Sequence, residues 1–92
     1  MNDATVLIRR EDCLEEILEG EVVLYSASAS QALYLNESAS LVWMLINGER
    51  RLGLIIKLLS DAYPDVDNIR SDVASTVMSL IEHGAVLINE ES

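Results

Sequence analysis

His83 is the only histidine in the chain and Cys13 the only cysteine, so the residue types that most often act as general base, nucleophile or metal ligand occur once each. A structural zinc site draws most of its four ligands from such nitrogen and sulfur donors, which one His and one Cys cannot supply. His83 stands directly before Gly84 at the expected end of a helix, where an imidazole at the surface interacts favourably with the helix dipole. The carboxylate pairs Glu15-Glu16 and Glu90-Glu91 are sequence neighbours and are expected to face solvent. The stretch "DVDNIRSD" brings Asp65, Asp67 and Asp72 close in sequence. It lacks the central Gly and terminal Glu of a calcium loop, so a helix-capping role for Asp67 is expected instead. No phosphate loop, dinucleotide fingerprint or nucleophile elbow is present. The expectation is a protein that is not an enzyme and needs no metal or cofactor.

Binding chemistry remains. The large anchors are Trp43, Tyr34 and Tyr25, and Trp43 sits on an apolar helical stripe that predicts burial. The segment "QALYL", Gln31 to Leu35, reads as a strand with none of the Pro, Lys or bulge devices that blunt a sheet edge. If it lies at an edge, its free N–H and C=O groups can template a further strand. Alternation then places Leu33 and Leu35 on the core face and Ala32 and Tyr34 on the other.

The elements that would position this edge can be read from period and punctuation. "TVLI" is a short β-branched run. "CLEEIL" and "EVVLYS" are strands joined by a tight turn at Glu19-Gly20, and residues 26–30, "SASAS", connect to the third strand, giving a three-stranded antiparallel meander. From Asn36 the period becomes helical. Asn36 is a favoured N-cap, Glu37 sits at the positive end of the dipole, and Ala39, Val42, Trp43 and Ile46 share one stripe, with Gly48 expected to end the helix. A second helix carries Leu52, Ile55, Ile56, Leu59 and Tyr63 and stops before Pro64. A third starts around Asp67, places Ile69, Val73, Val77, Leu80 and Ile81 on one face, and ends at Gly84. "AVLI" beyond it reads as a short closing strand or an extended tail. The order β-β-β-α-α-α-(β) is an α+β domain whose helices cover a small sheet.

Ninety-two residues suit one domain, residues 1–92, with ends at 1–4 and 89–92 expected to be flexible. The core should be aliphatic, since Phe is absent and Leu, Ile and Val dominate. Apolar runs such as Leu41 to Ile46 are far shorter than the roughly 20 residues of a membrane span, and Arg9 to Asp12 interrupt any signal-peptide pattern. A lone cysteine fits a reducing cytoplasm. The formal charge is −10, from 16 acidic and 6 basic residues, which disfavours nucleic acid as a partner.

"GEVVLY", then "LYLNESASLVWMLING", then "LIIKLLSDAYPDVDNIRSDVASTVMSLIEHGAV" resembles the PqqD family, the small proteins of pyrroloquinoline quinone biosynthesis. It equally resembles the wider class of recognition elements for RiPP precursor peptides. The likeness runs from about Gly20 to Val86. Its most specific parts are Leu35-Asn36 followed by small residues, Val42-Trp43, Leu45 and Gly48, and Asp72-Val73 ahead of Leu80 and Gly84. The resemblance implies a winged-helix-like domain, a three-stranded antiparallel sheet followed by three helices. It also implies a role: binding the leader of a ribosomally made precursor peptide and presenting it to a modifying enzyme, often a radical SAM protein. The leader would add as a strand to the third strand, here Gln31, Ala32, Leu33, Tyr34 and Leu35. The third helix would close the groove, with Asp72, Val73, Thr76, Val77 and Leu80 as its wall.

Two departures stand out. Arg50-Arg51 replaces the Ser or Thr cap usual before the second helix, and Gly53 falls in its first turn, which predicts a start frayed by roughly 1 kcal/mol. "SASASQA" replaces the Gly and aromatic residues often found before the third strand. Two other readings fit a small sheet with three helices: a winged-helix DNA-binding regulator, and a structural subunit of a larger enzyme. The third helix offers Arg70 against Asp72 and Glu82, a poor groove reader. An unprotected edge also allows a monomer or a weak homodimer.

Overall fold

The computed structural model describes residues 1–27 and 31–89. Its elements in order are β1 (Val6–Arg9), β2 (Cys13–Leu18), β3 (Glu21–Ser26), β4 (Leu33–Leu35), α1 (Glu37–Leu45), α2 (Leu52–Ala62), α3 (Ile69–His83) and β5 (Val86–Asn89). β2, β3 and β4 form the expected antiparallel meander in that spatial order. Its first turn is tight because Glu19 and Gly20 both adopt positive φ, 51° and 85°, the backbone that matches the strand twist in a two-residue hairpin. The third strand is three residues long rather than five, since Gln31 and Ala32 precede the pairing. The expected connection across residues 26–30, and the pair Glu90-Glu91, fall partly or wholly outside the described residues.

"TVLI" and "AVLI" find each other. β1 and β5 make a separate two-stranded antiparallel sheet, from Val6 opposite Asn89 to Arg9 opposite Val86. The segment after Gly84 is therefore a strand, and Gly84, at φ 84°, caps α3 so that its N–H and that of Ala85 reach the last carbonyls.

The chain's first residues contact the start of α2. They supply the cap that α2 lacks. The Leu52 N–H donates to the Thr5 carbonyl at 2.7 Å and the Gly53 N–H to the Asp3 carbonyl at 2.9 Å. Two orphan donors of the helix start are thus satisfied by a neighbouring strand lead-in rather than by a side chain, so the start is held rather than frayed. A Cβ on Gly53 would lie 3.0 Å from Asp3 Cβ and 3.2 Å from its carbonyl oxygen, so the glycine permits this approach. Asp3 is fixed in turn by a bidentate pair with the Arg70 guanidinium on α3.

Two helix ends differ from expectation. α1 leaves helical geometry at Ile46, before Gly48; the glycine, at φ 82°, instead turns its N–H onto the Leu7 carbonyl at 3.0 Å and ties the loop to β1. α3 starts after Asn68 rather than Asp67. Asn68 has φ −110° and ψ 45°, not the extended backbone that aims a capping side chain at the first turn, and it makes no such bond.

The core lies between the inner face of the meander and the three helices. Val22, Leu24 and Leu35 from the sheet meet Trp43 and Ile46 of α1 and its following residue, Ile55 and Leu59 of α2, and Val73, Val77 and Leu80 of α3. It is aliphatic except for Trp43, which is 2% exposed.

Candidate functional site: the open edge of β4

Asn36 fixes the joint between strand and helix. Its extended backbone ends β4, while its side-chain oxygen accepts from the Ala39 N–H at 2.9 Å. One turn later Ser40, buried to 1% exposure, reaches back into the sheet. Its hydroxyl accepts from the Val22 N–H at 2.9 Å and donates to the Leu35 carbonyl at 3.3 Å. Val22 and Leu35 are opposite partners in the β3–β4 register.

That bridge sets the parity of the edge. The Val22 N–H points toward β4 and the Leu35 carbonyl toward β3, so Val22 opposite Leu35, and Leu24 opposite Leu33, are the inward-bonding pairs. Tyr34 between them turns its N–H and C=O to the outside. Among the described residues no strand pairs with that outer edge. The side chains alternate as expected: Leu35 is buried, Leu33 half-buried against the core, and Tyr34 is 75% exposed on the far face. Gln31 is exposed and Ala32 half-buried.

Where β4 hands over to α1, a cleft of about 210 Å³ opens between the helices. Ser38 and Val42 of α1, Leu59 of α2 with Tyr63 just beyond it, and Asp72, Val73 and Thr76 of α3 line it. Three of the sequence-derived wall residues are therefore together at one cleft beside the strand end. Val77 and Leu80 stand behind them at 0% exposure, as core. Tyr63 ends the second helix's apolar stripe, which is the sequence signal for this part of the wall, whereas Val66, in the turn after Pro64, lies outside that stripe. The Tyr63 hydroxyl donates to Glu37 at 3.5 Å, and its pKa is raised by burial first and by the Glu37 charge second.

The remaining reactive side chains sit apart from this cleft. Cys13 is half-buried, and burial, with the carboxylates of Asp12 and Glu15, pushes its thiol up, the reverse of what a nucleophile needs. His83 is half-buried rather than fully at the surface; among the described residues its Nε2 has no hydrogen-bond partner. Glu15 does not simply face solvent. It accepts from the Trp43 indole N–H at 2.6 Å, while the Arg9 guanidinium lies 4.5 Å over the indole ring and donates to the Trp43 carbonyl at 2.7 Å. Among the described residues, no group of three His, Cys, Asp or Glu could hold a metal ion, and no helix is long and apolar enough to cross a membrane.

The fold and the unpaired edge define an α+β, winged-helix-like domain built around an accessible strand. The family model described as "Coenzyme PQQ synthesis protein D (PqqD)" matches residues 21–86, the span that contains both edge and cleft. The chain belongs to the PqqD family. Among solved structures it is similar to TbiB1 in complex with the TbiA(beta) leader peptide, with a TM-score of 0.73, 19% sequence identity, and coverage of 91% of this chain and 96% of that one. No curated protein matches the chain.

Proposed function

We propose that this protein is a non-catalytic module that binds the leader of a ribosomally made precursor peptide and presents it to a modifying enzyme, such as a radical SAM protein, in the cytoplasm. The observation that carries this reading is the unprotected outer edge of β4, held rigid by the Asn36 cap and the Ser40 bridge next to an apolar cleft. Membership in the PqqD family and likeness to a structure that holds a leader peptide support it.

In this reading the leader adds a strand along Gln31, Ala32, Leu33, Tyr34 and Leu35, bonding to the Tyr34 N–H and C=O. Its side chains beyond the strand end meet Asp72, Val73 and Thr76, while Val77 and Leu80 support that wall from the core. Because the groove is already formed, the ordering cost falls on the leader, about 2–5 kcal/mol of the gross interaction.

The experiment is an NMR titration of the labelled protein with a synthetic leader peptide of its precursor. The largest amide shifts are expected in residues 31–35 and 69–80. Shifts centred on β2 and the first half of β3, with residues 31–35 unmoved, would rule out strand addition here.

A further inference from the structure

Among the described residues, no helix or strand covers the face of the meander turned away from the helices. On this face β2 places Leu14, Glu16 and Leu18, β3 places Val23 and Tyr25, and β4 places Tyr34, as the register pairs Leu14 with Tyr25 and Val23 with both Glu16 and Tyr34. Leu14 is 68% exposed, Leu18 51% and Tyr25 44%. Val23 between them is buried at 3% exposure, and a monomer that leaves the large apolar side chains around it in water has a surface suited to a partner.

The charge around the patch says what kind of partner. On this face the register places two acidic side chains, Glu16 and Glu21, and no Lys or Arg. Glu16 stands within the patch, holding the Tyr25 hydroxyl at 3.3 Å, and Glu21 closes the end opposite Leu18. A second copy of this chain would bring the same glutamates against these and be repelled. A surface with an apolar centre rimmed by Lys and Arg would fit both features.

We propose that the outer face of the meander, centred on Leu14, Leu18 and Tyr25, is the docking surface for such a basic-rimmed apolar patch on the enzyme that modifies the precursor peptide. This rests on the leader-binding reading above and adds the second surface that presentation requires. Tyr34 connects the two. Its backbone faces the open edge, and its side chain lies on the outer face, so a leader strand added there extends the very surface on which the enzyme sits. Leader and enzyme occupy adjoining surfaces and need not compete.

The test uses the full chain, a synthetic leader peptide of its precursor and the purified modifying enzyme of the same pathway, with affinities measured by calorimetry at low and high salt. Two variants are compared with wild type: Leu14→Ser with Leu18→Ser, and Glu16→Lys with Glu21→Lys. All four positions are solvent-exposed, so the fold should tolerate both changes. The expected result is enzyme binding weakened at least about tenfold in each variant, with leader affinity within about twofold of wild type. Wild-type enzyme affinity should also fall as salt rises. Enzyme binding unchanged in the variants would overturn the proposal. So would a wild type that binds leader but not enzyme, or one that sedimentation shows to dimerise through this face. A wild type that binds neither would instead remove the leader-binding reading on which the proposal stands.

Discussion

The Ser40 hydroxyl lies 2.9 Å from the Val22 backbone nitrogen, joining α1 to the middle strand of the sheet through a single buried side chain. Because the same oxygen donates to Leu35, the helix, β3 and β4 are locked at the point where the candidate edge begins. Ser40→Ala removes the acceptor and leaves a buried N–H and C=O with poorer partners. A destabilisation of about 1–3 kcal/mol is expected in urea titrations. A variant as stable as wild type would mean that Val22 and Leu35 bond directly once the hydroxyl is gone.

Trp43→Ala should damage the fold rather than a binding surface. The indole is almost wholly buried, donates to Glu15 and carries the Arg9 guanidinium on its face. Truncating a buried Trp typically costs about 3–5 kcal/mol, a large share of a small domain's stability. Thermal melting checks this; an unchanged melting curve with lost leader affinity would place Trp43 in the groove instead.

How much of this was legible in the sequence divides by range. The meander, the three helices, the Asn36 cap and the burial of Trp43 follow from period, turn chemistry and capping, all set within a few residues. The pairing of Val6 with Asn89, the Asp3 carbonyl capping α2 and the reach of Ser40 to Val22 join residues far apart in sequence, and no local pattern encodes them. The same limit applies to the candidate site. The lack of Pro or Lys in "QALYL" already marks an unprotected edge, but the outward direction of the Tyr34 N–H depends on the register with β3. A helical stripe likewise names Val73, Val77 and Leu80 together without saying that the last two lie behind the wall.

The Asp3–Arg70 pair predicts an acid-sensitive contribution. The hydrogen bond from Arg70, the largest influence, holds the Asp3 carboxyl below its ordinary value, and the nearby positive charge adds to this. A carboxyl depressed in the folded state contributes stability above its unfolded pKa, near 3.9, and that contribution fades as pH falls through the lower folded value. Both side chains are well exposed, so the effect is modest and screened by salt. Asp3→Asn should therefore be less stable than wild type at neutral pH, with the gap closing as pH drops below about 4. Paired denaturation curves across that range are the check, and a gap independent of pH would assign the loss to the backbone contacts instead.

Duplex DNA should not bind at physiological salt. The formal charge of −10 repels phosphate, and Arg70, the only Lys or Arg within α3, is engaged by Asp3. A gel-shift titration should show no retardation at micromolar protein. Binding that weakens steeply with salt would revive the regulator reading.

The sharpest prediction concerns adjacent residues of β4. Proline deletes one N–H, and what that does depends on where the N–H points. At Tyr34 it points to the open edge, where a sheet tolerates proline, so Tyr34→Pro should keep the wild-type fold by circular dichroism and melting. It also removes the donor that a leader strand needs at the centre of the edge, so leader affinity should fall at least about tenfold. At Leu33 the N–H points toward Leu24, inside the ladder. Leu33→Pro should therefore break the pairing of β3 with β4, expose the core beneath Leu35, and lose fold and binding together. The contrast separates backbone pairing from side-chain contact, because Tyr34→Ala keeps the N–H and should retain more leader affinity than Tyr34→Pro. Equal losses in those two variants would assign recognition to the tyrosine side chain, and a folded, leader-binding Leu33→Pro would show that the strand parity is the reverse of the one the Ser40 bridge defines.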